Sequence, residues 1–306
     1  MEQALFAKTG EYKRLLAGAD TPGTAALFGL PPAGRAQMLA ALARDTGRPL
    51  CVVTPGEAEA TRFAADLNTL GIAAAVFPAR DLVLRPIEGT GREYEYRRLA
   101  VLGDLAGGRL QAVCLPAEAF LQYTVPREDF RANTLTLKPG TVIPSEQLIA
   151  RLYGAGYHRR DKVEGPGQFS VRGGIVDLFA PDMRQPARIE YWDDEIDTIR
   201  SFDLLTQRRD ENLKKIFISP AREVLFGDAA QTASALREFL SQRKGAKKEK
   251  LAEVMQVDLA ALDGGLMPEA MDKYYSVRYP APGLLIDHLD DPILVLEELS
   301  GIRDAD

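Results

Sequence analysis

Polar and apolar residues alternate most cleanly between Asp161 and Arg209. Phe169 and Val171 fall on one side of a period-two strand, and Gln168, Ser170 and Arg172 on the other. Gly173-Gly174 then interrupts and the apolar phase shifts, which predicts a bulge or bend. From Ala187 to Trp192, Ala187, Ile189 and Tyr191 share one face, leaving Arg188, Glu190 and Trp192 on the other. Asp193-Asp194 reads as a hairpin turn into a strand over Ile196–Phe202. The two strands place Arg172, Arg188 and Trp192 on one solvent-facing sheet surface. Arg and Trp are among the residue types that most often anchor protein interfaces. The plainer reading is a pair of solvated charges with the chain's one tryptophan capping a core edge.

The pattern before this stretch has a different period. An amphipathic helix over residues 1–20, with Leu5, Tyr12, Leu15 and Leu16, leads into strands over Thr24–Gly29, Leu50–Thr54 and Ala73–Phe77. Helices over Ala36–Asp45 and Glu57–Leu70 separate them, and a helix at Tyr94–Leu105 precedes a strand at Ala112–Leu115. Strands alternating with helices at this spacing predict a doubly wound α/β domain with a parallel sheet. The stretch 81–91 is polar and glycine-punctuated enough for a long loop. Beyond residue 124 the alternation stops. A strand at Leu135–Leu137, a turn at Pro139-Gly140 and a helix over Ser145–Tyr153, started by Ser145, lead into the β-rich stretch as a separate α+β module. After a strand at Ile216–Ile218 come a helix over Ala229–Arg243, a loop over Tyr274–Tyr279 and a last strand at Ile293–Leu296.

Two places carry the frame of a nucleotide site without its chemistry. Gly29 to Ala36 has the spacing of a phosphate-binding loop, with Gly29 and Gly34 in the glycine positions. Pro31 and Pro32 each lack a backbone N–H, Arg35 stands in place of lysine, and Ala36 has no hydroxyl for magnesium. At the other end, Glu297-Glu298 follows four apolar residues, where the second nucleotide motif has an aspartate first. Two eroded halves at opposite ends imply that the ends fold together around an inserted middle. The expected domains are 1–125 plus 216–306, and 126–215.

Composition narrows the function classes. The chain has 306 residues, 46% of them apolar and 27% charged, which is a globular composition with a length prior of two domains. A net charge of −6 gives no electrostatic reason for the whole chain to coat nucleic acid. The basic run Arg243–Lys250 is a solvated helix end or loop, or a weak DNA contact helped by Arg92, Arg97 and Arg98. Cys51 and Cys114 lie in apolar runs and read as buried small hydrophobes in a reduced compartment. His158 and His288 are isolated, so no metal, no cofactor and no catalytic constellation is expected. No signal peptide or membrane span is legible, which predicts a cytoplasmic monomer with no membrane partner.

The strings GPGQFSVRGGIVDLF, PARIEYWDDEIDTIRSFDLLTQR and ISPAREV resemble the N-terminal, UvrB-like part of the bacterial transcription-repair coupling factors. GLPPAGRAQMLAALARDTGRPLCVVTP, EYRRLAVL and LLIDHLDDPILVLEEL extend the likeness in the family's order. The resemblance implies a RecA-like domain with a degenerate phosphate loop and an inserted α+β domain that binds UvrA, without catalysis in this chain. Arg172, Arg188 and Trp192 match the family's two arginines and aromatic for that partner, Trp192 standing where phenylalanine is common, with Glu190 between them. UvrB itself is less similar, since it has an intact lysine-bearing loop and a hairpin for damaged DNA. The full-length relative would be an ATP-dependent DNA translocase that meets DNA and RNA polymerase through domains downstream of this chain. The competing expectation is a nucleotide-binding switch in which Arg35 replaces lysine, or a weak DNA-binding module.

Overall fold

The computed structural model describes residues 9–21, 23–80, 92–268 and 271–304. In chain order it begins with α1 (Gly10–Ala19), α2 (Pro32–Thr46), β1 (Leu50–Thr54), α3 (Glu57–Thr69), β2 (Ala74–Val76), α4 (Glu93–Ala106), β3 (Ala112–Pro116) and α5 (Ala117–Leu121). The middle holds α6 (Arg127–Ala132), β4 (Leu135–Leu137), α7 (Ser145–Gly154), β5 (His158–Arg159), β6 (Gln168–Arg172), β7 (Ile175–Phe179), β8 (Ala187–Trp192), β9 (Glu195–Phe202), β10 (Arg209–Asn212) and β11 (Ile216–Ile218). Last come α8 (Ala229–Ser241), α9 (Ala246–Asp263), α10 (Tyr275–Arg278), β12 (Ile293–Leu296) and α11 (Leu299–Asp304).

Compactness divides the described residues into two units. One falls within Met1–Asp81, Asp104–Tyr123 and Leu284–Asp306, the other within Leu82–Gly103 and Thr124–Gly283. Residues 216–283 thus group with the second unit by compactness, so the narrower insertion, 126–215, is kept as a proposal about domain limits.

The first unit is built on a parallel sheet in the order β12-β1-β3-β2. Every residue of β1 is buried, as expected of a strand covered on both faces, which is why LCVVT reads as a continuous apolar run. Leu50 pairs with Ile293 on one side and Ala112 on the other, so the C-terminal strand enters the sheet begun by the N-terminal segments. Leu39, Leu42 and Ala43 of α2, Phe63 and Leu67 of α3, and Leu50, Val52 and Cys114 form one core. This is the RecA-like α/β layer, interrupted in sequence by the two segments of the second unit, which fall within Leu82–Gly103 and Thr124–Gly283. The N-terminal helix is α1, whose Tyr12 is buried and donates to Asp45 Oδ2 at 2.6 Å; Leu5 lies outside the described residues.

Thr24–Gly29 is not a strand. The segment makes no ladder, and Phe28 is 90% exposed. Ala25 and Ala26 bury too little surface to offset the ordering of an edge strand, and Leu27 beside Phe28 breaks the period-two pattern.

The second unit holds a six-stranded sheet, β10-β9-β8-β7-β6-β5, antiparallel except for β5 with β6, and a two-stranded pair, β11 with β4. Phe169, Val176, Leu178, Ile189, Ile196 and Ile199 face its core together with Leu148 and Leu152 of α7. Gly173-Gly174 is a hairpin turn rather than a bulge within a strand, since Arg172 pairs with Ile175 across it. Gly173 has φ 57°, so the first turn position needs the left-handed region that glycine enters freely. The register irregularity falls instead between β8 and β9, after the pair Glu190–Thr198. Asp193 turns at φ 57° between Trp192 and Glu195. Helix α7 has Pro144, not Ser145, at its cap. The segment Tyr274–Tyr279 holds α10 rather than a loop, with Tyr274, Tyr275 and Tyr279 buried. The stretch 81–91, expected to be a loop, lies outside the described residues.

Burial pushes the thiols of Cys51 and Cys114 up to about 12, and both are fully enclosed. A thiolate is the reactive form, so neither should react with a disulfide reagent at pH 8 in the native protein, while both should react in denaturant. Rapid native labelling of either cysteine would contradict this packing of the parallel sheet.

Candidate functional site

The two segments expected to frame a nucleotide site, 29–36 and 297–298, meet in the first unit, and Arg35 of one pairs with both acids of the other. Pro32 starts α2 because a proline at the first helical position gives up only an N–H that has no partner there. The first helical bond runs from Arg35 N to Pro31 O at 3.1 Å, so Gly34, Arg35 and Ala36 lie within the helix rather than in an open loop. Arg35 donates through Nε to Leu30 O at 3.0 Å, pairs closely with Glu297, and reaches Glu298 Oε1 at 3.3 Å. Its hydrogen bond and charge contact with Glu297 raise its already high pKa. The cation available in the frame is therefore spent on the two acids that follow β12.

The second unit carries the sheet face. Register partners share a face, and one row across the strands reads Ser170, Asp177, Arg188, Arg200, Asn212. The next row reads Arg172, Ile175, Glu190, Thr198, and Trp192 follows Glu190 by two positions on β8. Asp177 is buried, with only 1% of its side chain exposed, yet it touches both predicted arginines. Arg188 donates to it through Nε at 2.7 Å and Nη2 at 2.8 Å, a two-point fork, and Arg172 Nη2 donates at 3.2 Å.

The two arginines are not equivalent. Arg188 is 13% exposed and its guanidinium carbon lies 4.8 Å from the ring centre of buried Phe202; the hydrogen bond to Asp177 raises its pKa, so it stays charged. Arg172 is 56% exposed. Trp192 is 79% exposed and does not cap a core edge. Glu190 is occupied by Thr198, whose Oγ1 donates to it at 3.0 Å, and by an ion pair with Arg209 of β10.

Asp177 and Arg209 are the residues that sequence reading missed here. Asp177 had a signal, a lone acid inside the apolar strand IVDLF; Arg209 sits in RDEN, four exposed polar residues with no alternation to mark a strand.

Arg98, grouped by sequence with a DNA-contacting cluster, is instead wholly buried. It donates to Glu223 from Nε at 2.6 Å and from Nη2 at 3.3 Å, and Thr124 Oγ1 donates to the same carboxylate at 2.9 Å. Among the described residues no group of three or more His, Cys, Asp or Glu could hold a metal, and no helix is long and apolar enough to cross a membrane.

The sheet and its flanks define a class of protein module. Residues 135–224, which span β4 to β11, match the family described as the UvrB interaction domain. Beyond that domain, the chain is similar to the transcription-repair-coupling factor of Bacillus subtilis, 31% identical over 92% of this chain and 25% of that protein. The transcription-repair-coupling factor of Staphylococcus aureus strain MRSA252 is 25% identical over 91% of this chain and 24% of that protein. The chain therefore spans about a quarter of the length of these relatives, and its likeness to the coupling factors runs through nearly all of it.

Proposed function

We propose that this chain is a non-catalytic recruitment module that binds UvrA through the polar face of β6 to β9, bringing nucleotide excision repair to stalled transcription complexes. The parent in this reading is an ATP-dependent DNA translocase that displaces RNA polymerase, with those activities in other domains. The observation that supports the face is exposed Trp192, two positions from Glu190 on β8, on the same sheet face as the largely exposed Arg172 of β6. An exposed aromatic and a reachable cation on one face are the composition of an interface anchor. Arg172, Arg188, Trp192 and Glu190 are the proposed contact set, in an otherwise monomeric, cytoplasmic protein.

Calorimetric titration of purified UvrA tests this. Wild type should saturate, and Arg172→Ala with Trp192→Ala should weaken binding at least about tenfold while leaving the melting curve in place. Unchanged affinity in that variant would move the site elsewhere. The same instrument should detect no saturable ATP–magnesium binding, because Arg35 is held by Leu30, Glu297 and Glu298 and Ala36 offers no hydroxyl.

A second reading has one observation in its favour. Arg243, Lys244, Lys248 and Lys250 are exposed around the start of α9, which suits weak phosphate contact. That binding would fall steeply with salt and would ignore Trp192→Ala.

A further inference from the structure

We propose that Asp177 is a positioning residue of the candidate interface, fixing Arg188 as a rigid spine and leaving Arg172 as the cation that meets the partner. The inference rests on the UvrA reading above. Asp177 lies on β7 between the strands of the two arginines, and it is the one carboxylate both of them touch. Arg188 spends the Nε and Nη2 edge of its guanidinium on Asp177, and its plane lies over Phe202. That side-on edge is closed to a carboxylate from outside, and with 13% of its side chain exposed Arg188 offers a partner at most the end of its guanidinium, held in a fixed direction. Arg172 makes a single, longer contact to Asp177 from a largely exposed side chain.

Asp177 cancels one of the two arginine charges, while Arg200, in register with Arg188, adds a cation on the same row whose Nε has no hydrogen-bond partner among the described residues. The partner surface that fits is therefore acidic, with a carboxylate toward Arg172 beside an apolar recess for Trp192.

The measurement is a thermodynamic cycle read by titration with purified UvrA. Asp177→Asn keeps the side-chain volume and removes the charge that orients both arginines. It should weaken UvrA binding about tenfold alone, and less than about twofold in a chain already carrying Arg172→Ala and Arg188→Ala, because its effect passes through those side chains. Arg188→Lys, which keeps the charge but not the fork, should weaken binding in the same direction. It also serves if Asp177→Asn does not fold. In nitrogen-15 spectra without partner, the Arg188 Nε–H should be protected from exchange in wild type and lose that protection in Asp177→Asn.

An equal loss from Asp177→Asn in both backgrounds, or full affinity in Arg188→Lys, would overturn the positioning role while leaving the UvrA site intact. Wild type failing to bind UvrA would overturn the site and this inference together.

Discussion

Replacing Arg98 by Ala should destabilise the second unit by about 3–5 kcal/mol, the cost of removing a forked ion-pair partner from a buried carboxylate. Glu223 and Arg98 have no exposed side-chain surface, and after the change only Thr124 Oγ1 among the bonds described above would still address the Glu223 carboxylate. Urea unfolding, followed by circular dichroism and tryptophan fluorescence, would measure the loss. Trp192 lies in the same unit. The pair need not be worth that much in total, because each ion lost hydration on burial. An Arg98→Met, Glu223→Leu double variant should therefore be more stable than Arg98→Ala alone. A single variant within about 1 kcal/mol of wild type would mean that water reaches the pair. Loss of DNA affinity with stability unchanged would restore Arg98 to the basic surface where its sequence neighbours placed it.

Arg98 marks where legibility ended. Residues in the parallel sheet could be read because burial on both faces leaves a composition, as in LCVVT and AVCLP, that few other environments tolerate. The face of the six-stranded sheet could be read because period-two alternation fixes which side chains share a side, Arg172 with Gln168 and Ser170, and Arg188 with Glu190 and Trp192. Pairing across strands is a different matter. That Asp177 lies opposite Arg188 depends on the register set by the two turns, and the pattern around Gly173-Gly174 predicts a bulge or bend without marking it as one of those turns. Helix α9 was missed because its apolar residues do not segregate; Val254 and Val257 are exposed while Met255 and Leu262 are buried. The strand expected at Thr24–Gly29 failed for the opposite reason, apolar residues without the size or spacing to make a ladder worthwhile. A charge such as Arg98 gives no local sign that a carboxylate 125 positions away will meet it in a dry interior.

The two arginines of the sheet face should separate in a stability measurement, although the sequence presents them as a matched pair. Arg188→Ala should cost about 3 kcal/mol, since Asp177 is buried and would keep only the 3.2 Å contact from Arg172. It also uncovers one side of the Phe202 ring. Arg172→Ala should cost less than about 1 kcal/mol, as an exposed partner in an ion pair whose carboxylate keeps its fork to Arg188. Urea midpoints at unchanged slope would read both differences. UvrA affinity should order the variants the other way at temperatures where both are folded, with Arg172→Ala losing a contact and Arg188→Ala losing mainly the orientation of what remains. Equal destabilisation by the two changes would show that Asp177 is more accessible than its 1% exposure states, and the division of labour between spine and reaching cation would fall with it.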